Sequence, residues 1–309
     1  MNKHYPIGIF LLAIWGLSIS CDETTPIHAP VTSGEKLHAP TKASEIYYIL
    51  PKAVNHKNYL DFMDELVQEI NGIWKDYLDE YDLVQYNPWL MEQLAATDYY
   101  RLREQGTLIR NLDTIRIFAE GDTLFIPGRE QLNRLDTLRK YTRLEVNIPE
   151  FALRILRQDS ILFEFPVRVG RNQARFLAMA NQEVDMKTRT GEGHIVRVNK
   201  EPLFINPLDN HRYEQTVRDD GVVTTLPHVP WLIPEVNGIE HGQLIHPTTN
   251  PETLGKAVSN GCIGTRESDA WYIYYHAPPG TPIKIQYLLE RITPEGDTLQ
   301  FKDIYNKKR

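Results

Sequence analysis

Apolar residues between Asn58 and Glu80 (Tyr59, Phe62, Met63, Leu66, Ile70, Ile73, Trp74 and Tyr77) return at steps of three and four, which predicts one amphipathic helix over that span. The same spacing predicts a second helix from Trp89 to Gln105 and a short polar one from Arg129 to Arg139. Between Thr114 and Pro127 the period falls to two, with Ile115, Ile117, Leu124 and Ile126 on either side of Gly121-Asp122, the pattern of a hairpin. From Leu144 alternation takes over: Leu144, Val146 and Ile148, then Leu153 and Ile155, then Ile161, Phe163, Phe165, Val167 and Val169, with a turn at Gln158-Asp159-Ser160. Further strands are expected at Ile195–Val198, Gln243–His246 and Pro282–Tyr287. The aromatic run from Trp271 to Tyr275 reads as a short helix, with Glu267, Ser268 and Asp269 suited to its first turn. A mostly β domain with one or two helices thus follows a mainly α region, α+β overall.

The amino terminus breaks this pattern. Lys3 and His4 precede an apolar run from Pro6 to Ile19, shorter than the roughly 20 residues a membrane-spanning helix needs, so residues 1–20 read as a secretion signal. Leu17-Ser18-Ile19-Ser20-Cys21 resembles a bacterial lipoprotein cleavage site, with Ser18 where a branched apolar residue is usual, and implies a lipid on Cys21. Residues 21–43, rich in Pro, Thr, Ser and charge, read as a flexible tether. The expected organisation is then a mainly helical accessory domain at 44–142, the β domain at 143–288 and a hairpin or tail at 289–309. A chain of 309 residues with 41% hydrophobic and 24% charged residues has the composition of a globular protein. Its net charge of −7 argues against nucleic acid as a partner, because a phosphate backbone selects for a basic face.

The chain has 2 cysteines. With Cys21 assigned to export, Cys262 is left without a partner, and a lone thiol in an exported protein is open to oxidation. Around it runs Ile245-His246-Pro247-Thr248-Thr249-Asn250-Pro251, and then Leu254 to Ile263 with Ser259-Asn260-Gly261-Cys262 at its end. A histidine within reach of a thiol takes its proton, and Gly261 allows a sharp turn whose amides, at Asn260, Gly261 and Cys262, suit an oxyanion. Spacing alone is weak evidence for such a pair, and a packed, inert cysteine with a satisfied polar histidine is the commoner arrangement. A metal reading with His241, His246 and Cys262 is disfavoured, since no His-Glu-x-x-His helix accompanies them.

The run from Ile245 to Ile263 resembles the signature of YkuD-type L,D-transpeptidases, in which a histidine opens the motif and a Ser-x-Gly-Cys element closes it. The strands from Leu144 to Gly170, the turn Thr188-Arg189-Thr190-Gly191 and the strand after Pro279-Gly280 also resemble that family, so the likeness covers roughly residues 144–288. It implies a β-sandwich or barrel, Cys262 as the acylated nucleophile, His246 as its base held by a backbone carbonyl, and Ser259 supporting the turn. It implies peptidoglycan stem peptides as partners, with no cofactor, in an exported protein attached to the membrane by its lipid. Where the family usually has an arginine two residues after the cysteine, this chain has Gly264, and Arg266 is the expected substitute. His241 and Trp231, the latter on a long insert between about Leu203 and Gly238, are further candidate substrate contacts. Trimming of stem peptides, or wall binding with weakened catalysis, are the alternatives to transpeptidation.

Overall fold

The computed structural model describes residues 46–73, 77–293 and 296–307. The expected signal segment, Cys21, the tether and Trp74 lie outside the described residues. The described residues hold six α-helices: α1 Tyr59–Ile73, α2 Glu80–Tyr86, α3 Pro88–Ala95, α4 Tyr99–Glu104, α5 Arg129–Lys140 and α6 Glu267–His276. Among the described residues no helix is long and apolar enough to cross a membrane.

The expected helix over 58–80 ends at Ile73. Its buried face (Tyr59, Leu60, Met63, Leu66, Ile70) follows the predicted spacing, but Asn71 bonds both the carbonyl and the amide of Leu78, at 2.8 and 2.9 Å. The chain restarts at α2 with Asp79 and Asp82 forming a reciprocal capping box. The helix expected over 89–105 is likewise two, α3 and α4, because the Asp98 carboxylate accepts from the amides of Tyr100 and Arg101 and caps a new helix there. The strands expected around Gly121 exist but do not form a hairpin. Arg116–Phe118 pairs with Val54–Asn55, and Thr123–Ile126 pairs with Ile46–Ile49. Alternation marks a strand without naming its partner, and here both partners come from the segment ahead of α1.

The main sheet has eight strands in the order Ile263–Thr265, Ile245–Pro247, Trp231–Val236, Gly191–Asn199, Pro282–Gln286, Thr142–Asn147, Ala152–Arg157 and Ser160–Pro166. Neighbours are antiparallel except the Ile245–Pro247/Ile263–Thr265 and Thr142–Asn147/Pro282–Gln286 pairs, which are parallel. Past Pro166 the last strand continues to Arg168, which exchanges both backbone hydrogen bonds with Gly264 on the first, at 2.9 and 3.0 Å. The sheet therefore closes on itself into a barrel-like core, and Gly264 lies on the seam.

Alternating residues of the sheet (Leu144, Val146, Leu153, Ile155, Ile195, Ile283, Ile285) share one continuous buried core with the N-terminal helices and α6. Trp271, Tyr274 and Tyr275 of α6 are all essentially inaccessible. Trp271 stacks on Tyr275 and meets Tyr59 of α1 edge-on, while the Tyr275 and Tyr59 hydroxyls bond at 2.7 Å.

Candidate active site

Cys262 stands at the end of a turn whose shape depends on glycine. Gly261 has φ +108°, a conformation costly for any residue with a Cβ. Ser259 ties the turn internally: its hydroxyl accepts from the Gly261 amide at 3.2 Å and donates to the Cys262 carbonyl at 2.6 Å. The Gly261 amide is thus turned toward Ser259, not toward an incoming oxyanion. The Asn260 carboxamide oxygen beside it is buried without a hydrogen-bond partner.

A second set of polar contacts fixes the turn from behind. The Thr188 hydroxyl donates to the Gly261 carbonyl at 2.9 Å and accepts from the Gly170 amide at 2.8 Å. Tyr305, from the C-terminal segment, donates to the Gly170 carbonyl at 2.6 Å and accepts from the Thr188 amide at 3.1 Å. Gly170 has to be glycine because a Cβ there would lie 2.0 Å from the Met186 carbonyl oxygen. Arg171 adds bonds from its amide and its guanidinium to the Ser259 carbonyl, at 3.1 and 3.2 Å.

His246 lies on the strand that pairs with Ile263–Thr265, the strand that follows Cys262. The register pairs Ile245 with Ile263 and His246 with Gly264, so His246, Gly264 and, two residues before Gly264, Cys262 fall on one face. His246 Nδ1 is 2.9 Å from the Pro247 carbonyl oxygen. A carbonyl only accepts, so Nδ1 carries the proton and Nε2 is left with its lone pair. The Trp231 ring lies 5.1 Å from the imidazole and is itself met edge-on by Phe204.

Burial sets the protonation of the pair. It pulls His246 down to about 4, helped by the nearby Arg168 charge, and the Pro247 contact opposes this only in part. Burial also pushes the Cys262 thiol up, against the smaller downward pull of the Leu244 amide and of Arg168. At neutral pH the resting pair is therefore thiol and neutral imidazole.

The structure thus brings Cys262, His246, Ser259, Asn260, Gly261 and Trp231 together. It does not bring in the other two candidates. Arg266 is exposed at the N-cap of α6, where its charge acts on Asp269. His241 is exposed, and its neighbour Glu240 pairs with Arg197 at 2.5 Å. The guanidinium at the site belongs instead to Arg168, which sequence reasoning missed. Its signal was an arginine between Val167 and Val169, two residues that are wholly buried. Among the described residues no three His, Cys, Asp or Glu side chains converge as a metal site would require.

The long insert carries a hairpin, Gln215–Val217 with Val223–Thr225, that bridges α4 to the loop after His246. Tyr100 of α4 donates to the Thr249 carbonyl at 3.1 Å and accepts from the Asp219 amide at 2.9 Å; Asp219 in turn accepts from Asn250 at 2.8 Å. Arg218, fully buried, pairs with Glu267 at the start of α6, whose carboxyl burial still raises to about 7.

Residues 141–285 match the model of the YkuD L,D-transpeptidase catalytic domain. Among curated proteins the chain is similar to YkuD of Bacillus licheniformis, named as an inferred L,D-transpeptidase, with 26% identity over 63% of this chain and 92% of that protein. It is also similar to ErfK/SrfK of Escherichia coli, likewise an inferred L,D-transpeptidase, with 29% identity over 60% of this chain and 56% of that one. Among solved structures, an L,D-transpeptidase from Mycobacterium smegmatis aligns at 16% identity and TM-score 0.33, covering 47% of this chain and 58% of that chain. The match thus takes in little more than half of the Escherichia coli and mycobacterial proteins.

Proposed function

We propose that the chain, whose residues 141–285 match the model of the YkuD L,D-transpeptidase catalytic domain, transfers acyl groups from peptidoglycan stem peptides through a thioester on Cys262. The observation that carries this reading is the bond from His246 Nδ1 to the Pro247 carbonyl, which leaves Nε2 as a base on the face shared with Cys262. Cys262 Sγ attacks the carbonyl that joins a diamino acid to the terminal D-alanine. As the sulfur–carbon bond forms, the thiol proton passes to His246. The carbon–nitrogen bond then breaks, and His246 returns that proton to the departing amine. An acceptor amine attacks the thioester next, loses its proton to His246, and the thiol is regenerated. No cofactor takes part. Asn260 and Trp231 border the acyl site: the Asn260 oxygen has no internal partner and the indole walls the imidazole.

The test is incubation with tetrapeptide muropeptides followed by mass spectrometry of protein and products. The expected result is loss of D-alanine with an acyl mass on Cys262, and none on Cys262→Ala. An adduct that persists on Cys262→Ala would overturn the assignment. A dimeric product identifies a stem peptide as acceptor, and a tripeptide identifies water.

The proposed organisation is a signal at 1–20, a tether from Cys21 to 43, an accessory region at 44–142, the catalytic domain at 143–288 and a tail at 289–309. Export suits a wall substrate, and Cys21 is the proposed lipid-bearing residue. Metabolic labelling with radioactive palmitate should mark the parent chain and leave Cys21→Ser unlabelled; equal labelling of both removes the lipid proposal.

A further inference from the structure

Gly264 leaves a gap on the most sensitive face of the molecule. It is the cross-strand partner of His246 and lies two residues after Cys262, so a side chain there would stand between base and nucleophile. Arg168 fills this gap from the other side of the seam. The two residues form an antiparallel pair joined by both backbone bonds, which puts their side-chain positions on the same face. A Cβ on residue 264 would lie 2.6 Å from Arg168 Nε, 2.8 Å from its Cγ and 3.1 Å from its Cδ. Glycine at 264 is therefore what admits the arginine.

The guanidinium enters without a counter-ion. Nη1 donates to the Thr253 hydroxyl at 3.2 Å, and Nε is buried with no partner. Among the described residues no carboxylate stands within ion-pair distance of it, although Asp219 exerts a weaker pull from further off. A buried, half-satisfied guanidinium is costly unless an anion completes it. The anion that this site generates is the Cys262 thiolate.

We propose that Arg168 is the positioning charge of this site, reaching over Gly264 to stabilise the Cys262 thiolate as His246 removes the thiol proton. The same charge makes an imidazolium less favourable, so Arg168 keeps His246 ready to pass its proton on to the leaving amine. Arg168 is then the charged group that bears on the thiol, with His246 neutral beside it, and Arg171 and Asp219 act on Arg168 in turn with opposite sign. This role rests on Cys262 being the nucleophile, as proposed above.

The experiment is the rate of Cys262 alkylation by iodoacetamide as a function of pH, with circular dichroism as the check on folding. Arg168→Met should move the alkylation midpoint up by about one unit or more, the size of effect a close opposite charge exerts. Arg168→Lys should stay near the parent. Gly264→Ala, which keeps the charge but crowds it, should shift the midpoint in the same direction by less. The relocated pair Arg168→Gly/Gly264→Arg should recover part of the loss. Superimposable profiles for Arg168→Met and the parent would overturn the proposal, as would equal shifts for Arg168→Met and Arg168→Lys, which mark packing and not charge. If Arg168→Met does not fold, an unshifted Gly264→Ala profile overturns it instead. Alkylation needs no muropeptide, so failure of thioester formation with an intact alkylation shift would count against the proposed reaction and leave Arg168 standing.

Discussion

The turn that carries Cys262 and the helix α6 are both deeply packed, but they are held by opposite means. The turn is held by hydroxyls and backbone: Ser259, Thr188 and Tyr305 bond to peptide groups of Gly261, Cys262 and Gly170. Helix α6 is held by rings, with Trp271, Tyr274 and Tyr275 packed against Tyr59 and Tyr81 of the N-terminal helices. Hydrogen bonds are directional and fix one geometry, which a nucleophile needs to within fractions of an ångström. Apolar burial is non-directional and supplies bulk stability. The difference teaches that activity and stability should be separable by mutation in this chain.

The strongest way to break that comparison is Trp271→Ala, which should cost about 3–5 kcal/mol of stability in denaturant melts while leaving the acylation rate of the folded fraction unchanged. A large fall in that rate would show the two regions to be one unit. Next in size is Thr188→Val. It strips the Gly261 carbonyl and the Gly170 amide of a partner, which should cost about 1–3 kcal/mol and, by loosening the turn, slow acylation about tenfold or more. Stopped acylation assays beside thermal melts would separate the two effects.

The smallest effect compares two imidazoles that burial treats alike. His246 at the site and His276 at the end of α6 are both drawn down to about 4. A base works only when neutral, so acylation should hold on the acid side until pH nears 4 and then fall about tenfold per unit, as His246 takes up a proton. On the alkaline side it should rise with thiol ionisation, because burial holds the Cys262 thiol up. His276→Gln should leave the acid limb in place, whereas His246→Gln should remove it together with most of the rate. A limb that moves with His276 would assign the titration to the wrong region.

Much of the site was legible in sequence because its parts are contiguous. Ser259, Gly261 and Cys262 shape one turn, and His246 followed by Pro247 supplies its own restraining carbonyl. Strands from Leu144 onward were legible because alternation is a local signal that burial of one face enforces. The end of α1 at Ile73 and the fresh start at Asp98 were not, since each goes with a side chain, Asn71 or Asp98, choosing backbone partners that periodicity does not register. The strands around Gly121 were visible but their partners, Ile46–Ile49 and Val54–Asn55, lie far away in sequence.

The amino-acid sequence alone carries the shape of the Cys262 turn, a histidine one strand away and the mostly β character of the region around them, since those follow from neighbouring residues and short periods. Tertiary packing alone settled which guanidinium lies beside Gly264. Arg266 is near Cys262 along the chain yet is turned outward at the start of α6, whereas Arg168, far off in sequence, is brought across Gly264 by closure of the sheet. The reason is physical: a seam joins the first and last strands of a closed sheet, and no local pattern records which residues will face each other there.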